Sequence, residues 1–198
     1  MNPDQPELFT IDEMIYSNYF QFQPNVRDDG NARSYGVEST LQKKLKAGVY
    51  GLLSAAWFRS QYRDLNGTWR NRTFDNRVIL SAEGGYKPND KWEFSLRWVF
   101  AGGPPYTPLD LEASQEINRS VYDQARVNES RYPAYHSLNL RADRRFNFSN
   151  SNMIVFISIW NAYNRENVAS YFWNEVEKKQ DKILQWSMLP IFGIEFEF

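Results

Sequence analysis

Few side chains in this chain of 198 residues could do acid–base or nucleophilic chemistry, and each has a plainer role open to it. His136 is the single histidine. A catalytic base of that type needs a nucleophile and an orienting acid within hydrogen-bond reach. Yet His136 alternates with Leu138 and Leu140, so on a strand it points to the apolar side while Tyr135, Ser137 and Asn139 point the other way. A boundary histidine is expected, and no enzymatic activity. Asp110, Glu112, Glu116 and Asp123 gather within one polar stretch, and hard cations favour several carboxylate oxygens, but calcium-loop spacing is missing. No metal site is expected. GGPPYTP, Gly102 to Pro108, lacks a phosphate-loop pattern and reads as a strand exit that sets loop direction, so no cofactor is assigned. Trp69, Arg70, Arg72, Tyr106, Tyr122 and Arg126 have the chemistry to stack on a sugar or pair with an anion. Exposed loops carry such residues without ligands too, and no ligand is assigned to them.

The elements that would position these residues are strands. In KWEFSLRWVF, residues 91 to 100, Trp92, Phe94, Leu96, Trp98 and Phe100 share one face, and Lys91, Glu93, Ser95, Arg97 and Val99 the other. The final stretch, IFGIEFEF, repeats this period of two: Phe192, Ile194, Phe196 and Phe198 against Gly193, Glu195 and Glu197. Six further strands are predicted at 10–22, 33–45, 49–62, 73–86, 135–147 and 153–163, about eight in all. Tight turns are expected at Lys46–Gly48, Lys87–Asp90 and Asn147–Asn152. The links that alternate with them are long and polar: 23–32, 63–72, 102–134 and 164–183. Short turns therefore lie at one end of the sheet and long loops at the other. Neither a repeat nor a linker divides the chain, so residues 1–198 read as a single all-β, antiparallel segment.

Composition narrows the classes. Charges nearly cancel, 23 Lys plus Arg against 24 Asp plus Glu, so no long-range field favours nucleic acid. The absence of cysteine excludes a disulfide framework and thiolate metal sites, and suits a protein that crosses an oxidising compartment. No run of about 18 apolar residues offers a spanning helix. MNPDQPELFT lacks the basic start and apolar stretch of a secretory signal, so the chain is expected to be mature, truncated or a fragment.

One-sided strands alone suit a soluble antiparallel sandwich. Three features favour a transmembrane β-barrel instead. A ten-residue strand rises roughly 33 Å and, tilted by about 40°, spans the roughly 25 Å apolar band of such barrels. Loop lengths are asymmetric. Tyr50, Tyr62, Tyr86, Trp92 and Trp186 stand towards strand ends, where amphipathic rings rest at headgroup level. Open edges cannot persist in hydrocarbon, so about eight strands must close on themselves or join others. The inward sets Lys91, Glu93, Arg97 and Asn139, Arg141, Asp143, Arg145, charged but for Asn139, would then face the lumen.

DNRVILSAEGGY (75–86), WVFAGGPPYTPLD (98–110), RYPAYHSLNLRADRRF (131–146) and IWNAYNRENV (159–168) follow one another, with a terminal Phe, in an order that resembles the C-terminal barrel strands of TonB-dependent outer-membrane receptors of the Bacteroidota type. The resemblance runs from about Arg33 to Phe198. It implies a barrel of about 22 strands of which this chain supplies the last eight, with the N-terminal plug, TonB box and signal peptide absent. It implies nutrient uptake across the outer membrane of a Gram-negative cell, long loops outside and the C-terminus in the periplasm. The implied partners are outer-membrane lipid, the rest of the receptor, TonB through the absent N-terminal part, and the barrel assembly machinery, which would read Phe198, Phe196, Ile194 and Phe192. An autonomous eight-stranded barrel with a structural or adhesive role is the nearest alternative, and a soluble β-sandwich binding module the next.

Overall fold

The computed structural model describes residues 30–64 and 66–198, so the strand expected at 10–22 lies outside the described residues. Seven long strands form one antiparallel sheet: β1 (Asn31–Lys46), β2 (Val49–Arg63), β4 (Val78–Asn89), β5 (Trp92–Ala101), β8 (Tyr135–Asn147), β9 (Asn152–Trp160) and β12 (Leu189–Glu197). Their spatial order, β1-β2-β4-β5-β8-β9-β12, is their order in the chain, so each pairs with the next long strand and nothing crosses over. The short β3 (Trp69–Asn71) adds to β2. The described residues are all-β save for one short helix, α1 (Leu111–Ile117), and a single 3-10 turn at Gln124–Arg126.

The tight turns follow local chemistry. Lys46 pairs with Val49, leaving Ala47 and Gly48 between them at φ of 54° and 76°; two successive left-handed residues make the hairpin turn whose twist matches its strands. At the β4–β5 turn the Asn89 carboxamide oxygen accepts from the backbone N–H groups of Lys91 (2.9 Å) and Trp92 (3.1 Å). Between β8 and β9, Asn147 pairs with Asn152, and the Phe148 N–H donates to the Ser151 carbonyl at 2.8 Å.

Register carries the two-faced pattern across the whole sheet. Leu41 pairs with Leu53 and Leu53 with Ala82; Ala82 pairs with Trp98 and Trp98 with Leu138. Further along, Ala142 pairs with Ile157 and Ile157 with Phe192. Directly opposed residues share a face, so these apolar side chains form one continuous surface. Within the long strands no Asp or Glu falls on it. The opposite face carries the ion pairs: Arg97 with Glu83 (3.0 Å), Lys87 with Glu93 (2.9 Å), and Arg141 with Asp143 (2.6 Å) and Glu195 (3.2 Å). Tyr50 donates its hydroxyl to Glu93 there, its ring lying over Gly85, where any Cβ would strike it. That face is not wholly polar, since Ile154 and Phe156 belong to it and the Arg141 guanidinium sits 4.0 Å from the Phe156 ring centre.

The apolar face is uncovered. Val37 is 71% exposed, Leu53 54%, Leu96 45% and Phe192 82%, and among the described residues no second layer packs over it. The sheet is also open, because β1 and β12 stand at its two edges without pairing to each other. Buried apolar side chains (Tyr62, Leu109, Val127, Trp173) all lie at the long-link end. The small elements cluster at that end too: β6 (Pro105–Tyr106) with β7 (Ser130–Arg131), and β10 (Val168–Asn174) with β11 (Lys179–Leu184).

Several boundaries differ from expectation. β4 begins at Val78 instead of residue 73, because Arg77 takes a φ of 66° and the preceding residues turn, with the Asp75 N–H on the Arg72 carbonyl and the Asn76 N–H on the Phe74 carbonyl. β9 stops at Trp160, where Asn161 and Asn164 adopt φ of 50° and 52°. The link at 164–183 holds the unforeseen β10–β11 hairpin, turned by Asn174, whose side-chain oxygen accepts from the N–H groups of Val176 (3.1 Å) and Glu177 (3.0 Å).

Candidate functional site

The three described long links are tied into one cap at a single end of the sheet, and that cap is the only place where loops from distant parts of the chain converge among the described residues. Its base is Asp75, which is fully buried. One oxygen accepts the Ser60 N–H at 2.6 Å and the other accepts Arg131 Nη2 at 2.5 Å, with Arg59 Nε at 3.7 Å and Arg77 Nε at 3.9 Å. Arg131 also donates to the carbonyls of Asp75 and Gly103. Along β2, the Phe58 N–H reaches the Arg77 carbonyl and the Arg72 N–H reaches the Ser60 carbonyl. The carboxylate thus fills the gap in the ladder between β3 and β4. Burial, then repulsion by Arg131 and Arg59, holds the Arg77 guanidinium below its usual pKa despite Asp75.

A second tie joins the first link to the next. Asp64 accepts from the backbone N–H groups of Asn66 (3.0 Å) and Thr68 (2.8 Å) and from Arg70 Nε (2.7 Å). Arg70 then donates to the carbonyls of Ala125 and Val127, both at 3.3 Å. Asn71 and Asn128 exchange amide-to-carbonyl bonds at 3.2 and 2.9 Å. Burial pushes the Asp64 carboxyl up, but the Arg70 bond and the two backbone donors outweigh it and the net shift is downward. Its stabilisation is whole above the ordinary value of 3.8 and is lost as the pH falls through the depressed folded value. Protease cutting of the 64–70 turn is therefore expected to stay slow from neutrality to about pH 4 and to quicken below it, whereas Asp64→Asn is expected to raise cutting at neutral pH and to converge with the wild type once the carboxyl is protonated.

The third tie is aromatic. Tyr106 and Tyr132 stack with ring centres 4.2 Å apart, and Tyr171 of β10 lies 5.3 Å from the first and 5.4 Å from the second. Burial, then Tyr122 and Tyr106, pushes the Tyr132 phenol up to about 12. Trp173 donates its backbone N–H to Ser120 Oγ (2.9 Å) and its indole N–H to Asn118 Oδ1 (3.1 Å). Asn167 brackets β8, accepting from the His136 N–H and donating to the His136 carbonyl.

Residues singled out by type mostly have structural partners here. Trp69 lies under the Arg33 guanidinium at 4.1 Å, Arg70 is held by Asp64, and Arg126 pairs with Glu129 at 3.4 Å. The Arg72 backbone N–H continues the β2 ladder, and Tyr122 bridges Leu109. Asp110 caps α1 by accepting from the Ala113 N–H, and Asp123 caps the 3-10 turn through the Ala125 N–H. Glu112 stands in the first turn of α1 and Glu116 is exposed. Among the described residues no His, Asp and Glu gather closely enough to hold a metal ion. His136 lies on the apolar face opposite Phe100, its Nδ1 2.7 Å from the Tyr163 hydroxyl. Phe192, Ile194 and Phe196 of the edge strand β12 face the same way, against Ile157, Val155 and Met153, and Phe198 is fully exposed. Trp186 follows β11 by two residues, precedes β12 by three, and is 78% exposed.

Sequence reasoning missed Asp75 with its three arginines, and the stack at Tyr132 and Tyr171. The expected strand at 73–86 includes Asp75, although Asp75, Asn76 and Arg77 in succession interrupt any alternation. In comparisons with known proteins, no family model matches the chain and no curated protein matches it.

Proposed function

We propose that this chain is wall and outer cap of a transmembrane β-barrel, the C-terminal part of a TonB-dependent outer-membrane receptor that takes up a nutrient. One observation carries the reading: an apolar face that runs in register across seven long strands without a carboxylate, backed by a face of ion pairs. Leaving one Leu or Phe in water forfeits roughly 1.5–3 kcal/mol. A face built of such residues forfeits more than the whole stability of a domain, about 5–15 kcal/mol, so something apolar must cover it. Lipid fits better than a second protein layer, because the charged residues on this face are all cations at its two ends, where phosphates lie.

In hydrocarbon the open edges at β1 and β12 must be paired, which calls for further strands. In this orientation the tight turns face the periplasm and the tied cap faces outward. The cap and a plug supplied by the rest of the receptor would form the ligand site, TonB would act through that other part, and Phe192, Ile194, Phe196 and Phe198 would be read by the barrel assembly machinery. Cell fractionation tests this with an antibody against β12. The expected result is a band in the outer-membrane fraction several times larger than 23.4 kDa; a band in the soluble fraction would overturn the reading.

A further inference from the structure

Charged residues on the apolar face are sorted by position. Arg33, Arg59 and Arg63 lie at the long-link end, and Lys43, Lys46 and Arg144 at the turn end. Lys43 is engaged within its own hairpin, donating to the carbonyls of Val49 (2.9 Å) and Lys46 (3.3 Å). Arg144 differs. It pairs across the sheet with Trp92, the first residue of β5, and with Val155. Its guanidinium carbon sits 4.8 Å from the Trp92 ring centre and 5.5 Å from that of Phe146. Trp92 is itself stacked on Phe94, 5.8 Å away and 4° from parallel. Among the described residues no carboxylate pairs with Arg144, while Arg97 and Arg141 on the other face both have one.

The two rings lie against the guanidinium, and among the described residues its five N–H donors have no acceptor. An unpaired cation among apolar side chains is costly unless it reaches the headgroup level. The fork of a guanidinium matches two oxygens of a phosphate, and aromatic flanks fix its angle. The geometry points to Arg144, clamped between Trp92 and Phe146, as an anchor for the phosphate of a phospholipid in the leaflet on the turn side. This rests on the membrane reading above. It adds a particular lipid site, where that reading requires only a solvent of acyl chains.

The test uses the whole receptor polypeptide that carries this chain, reconstituted into vesicles of phosphatidylcholine and phosphatidylglycerol, some with brominated acyl chains, then extracted in mild detergent for native mass spectrometry. Retained phosphatidylglycerol is expected on the wild type, with about tenfold less on Arg144→Gln, as for the loss of one charge-assisted bond. Partial retention is expected on Arg144→Lys, and wild-type retention on Arg97→Gln. Equal retention on Arg144→Gln would overturn the site, as would displacement of the lipid by millimolar inorganic phosphate, which would mark it as a free-anion site. Bromine quenching of tryptophan in the same vesicles separates the two readings. Quenching without the Arg144 effect sinks the lipid site alone; absent quenching sinks both.

Discussion

Asp75→Ala is expected to loosen the cap more than any other single change in it. The carboxylate accepts the Ser60 N–H at 2.6 Å and Arg131 at 2.5 Å, with two more guanidinium groups within 4 Å. Removing it leaves three cations facing one another and a ladder donor without an acceptor. Breaking a buried pair from one side costs about 3–5 kcal/mol. The side chains of Arg131, Arg59 and Arg77 are 22%, 26% and 46% exposed, so solvent screening places the loss at the lower end of that range. Limited proteolysis of the whole reconstituted receptor, with the thermal midpoint as second readout, measures it. Asp75→Asn should fall between, since its carbonyl oxygen still accepts from Ser60. Arg77→Gln should be harmless or mildly stabilising, because this guanidinium is disfavoured by burial and by its two neighbours. A cap that resists protease equally in wild type and Asp75→Ala would refute the role given to Asp75.

Leu96→Arg carries the second large effect. Leu96 is in the middle of β5, flanked in register by Gly84 and Leu140 on the apolar face. If that face meets acyl chains, an arginine at mid-depth costs about 2–4 kcal/mol. If it meets water, a side chain already 45% exposed should tolerate the change to within about 0.5 kcal/mol. Urea titration of the whole receptor folding into vesicles separates these outcomes, with Ser95→Arg on the opposite face as the control. Unchanged midpoints for both variants would count against lipid contact.

Periodicity located the long strands well because register ties every residue on one face to a common environment. Trp92 to Phe100 alternate without a break, and the strand they mark starts and ends within a residue of expectation. Alternation says nothing about what happens where strands stop. Asp75 completes the β2 ladder from a loop, and its arginines come from positions 59, 77 and 131, so no local window contains the cluster. The Tyr106–Tyr132–Tyr171 stack is equally non-local. The β10–β11 hairpin escaped notice because Lys179–Leu184 is mostly polar, its turn being set by Asn174 side-chain bonds and not by a Gly or Pro. Asp110 and Asp123 look alike as carboxylates within one sequence run, but each is used up in capping its own turn.

Most direct of all is the accessibility of nitroxide labels placed singly at Phe94, Ser95 and Leu96 of the whole receptor in lipid vesicles. Labels at Phe94 and Leu96 should collide freely with oxygen and be shielded from a water-soluble nickel chelate, while a label at Ser95 should show the reverse. If Phe94 and Leu96 instead report polar, oxygen-poor surroundings, the face they share does not touch lipid and the chain is no part of a membrane wall.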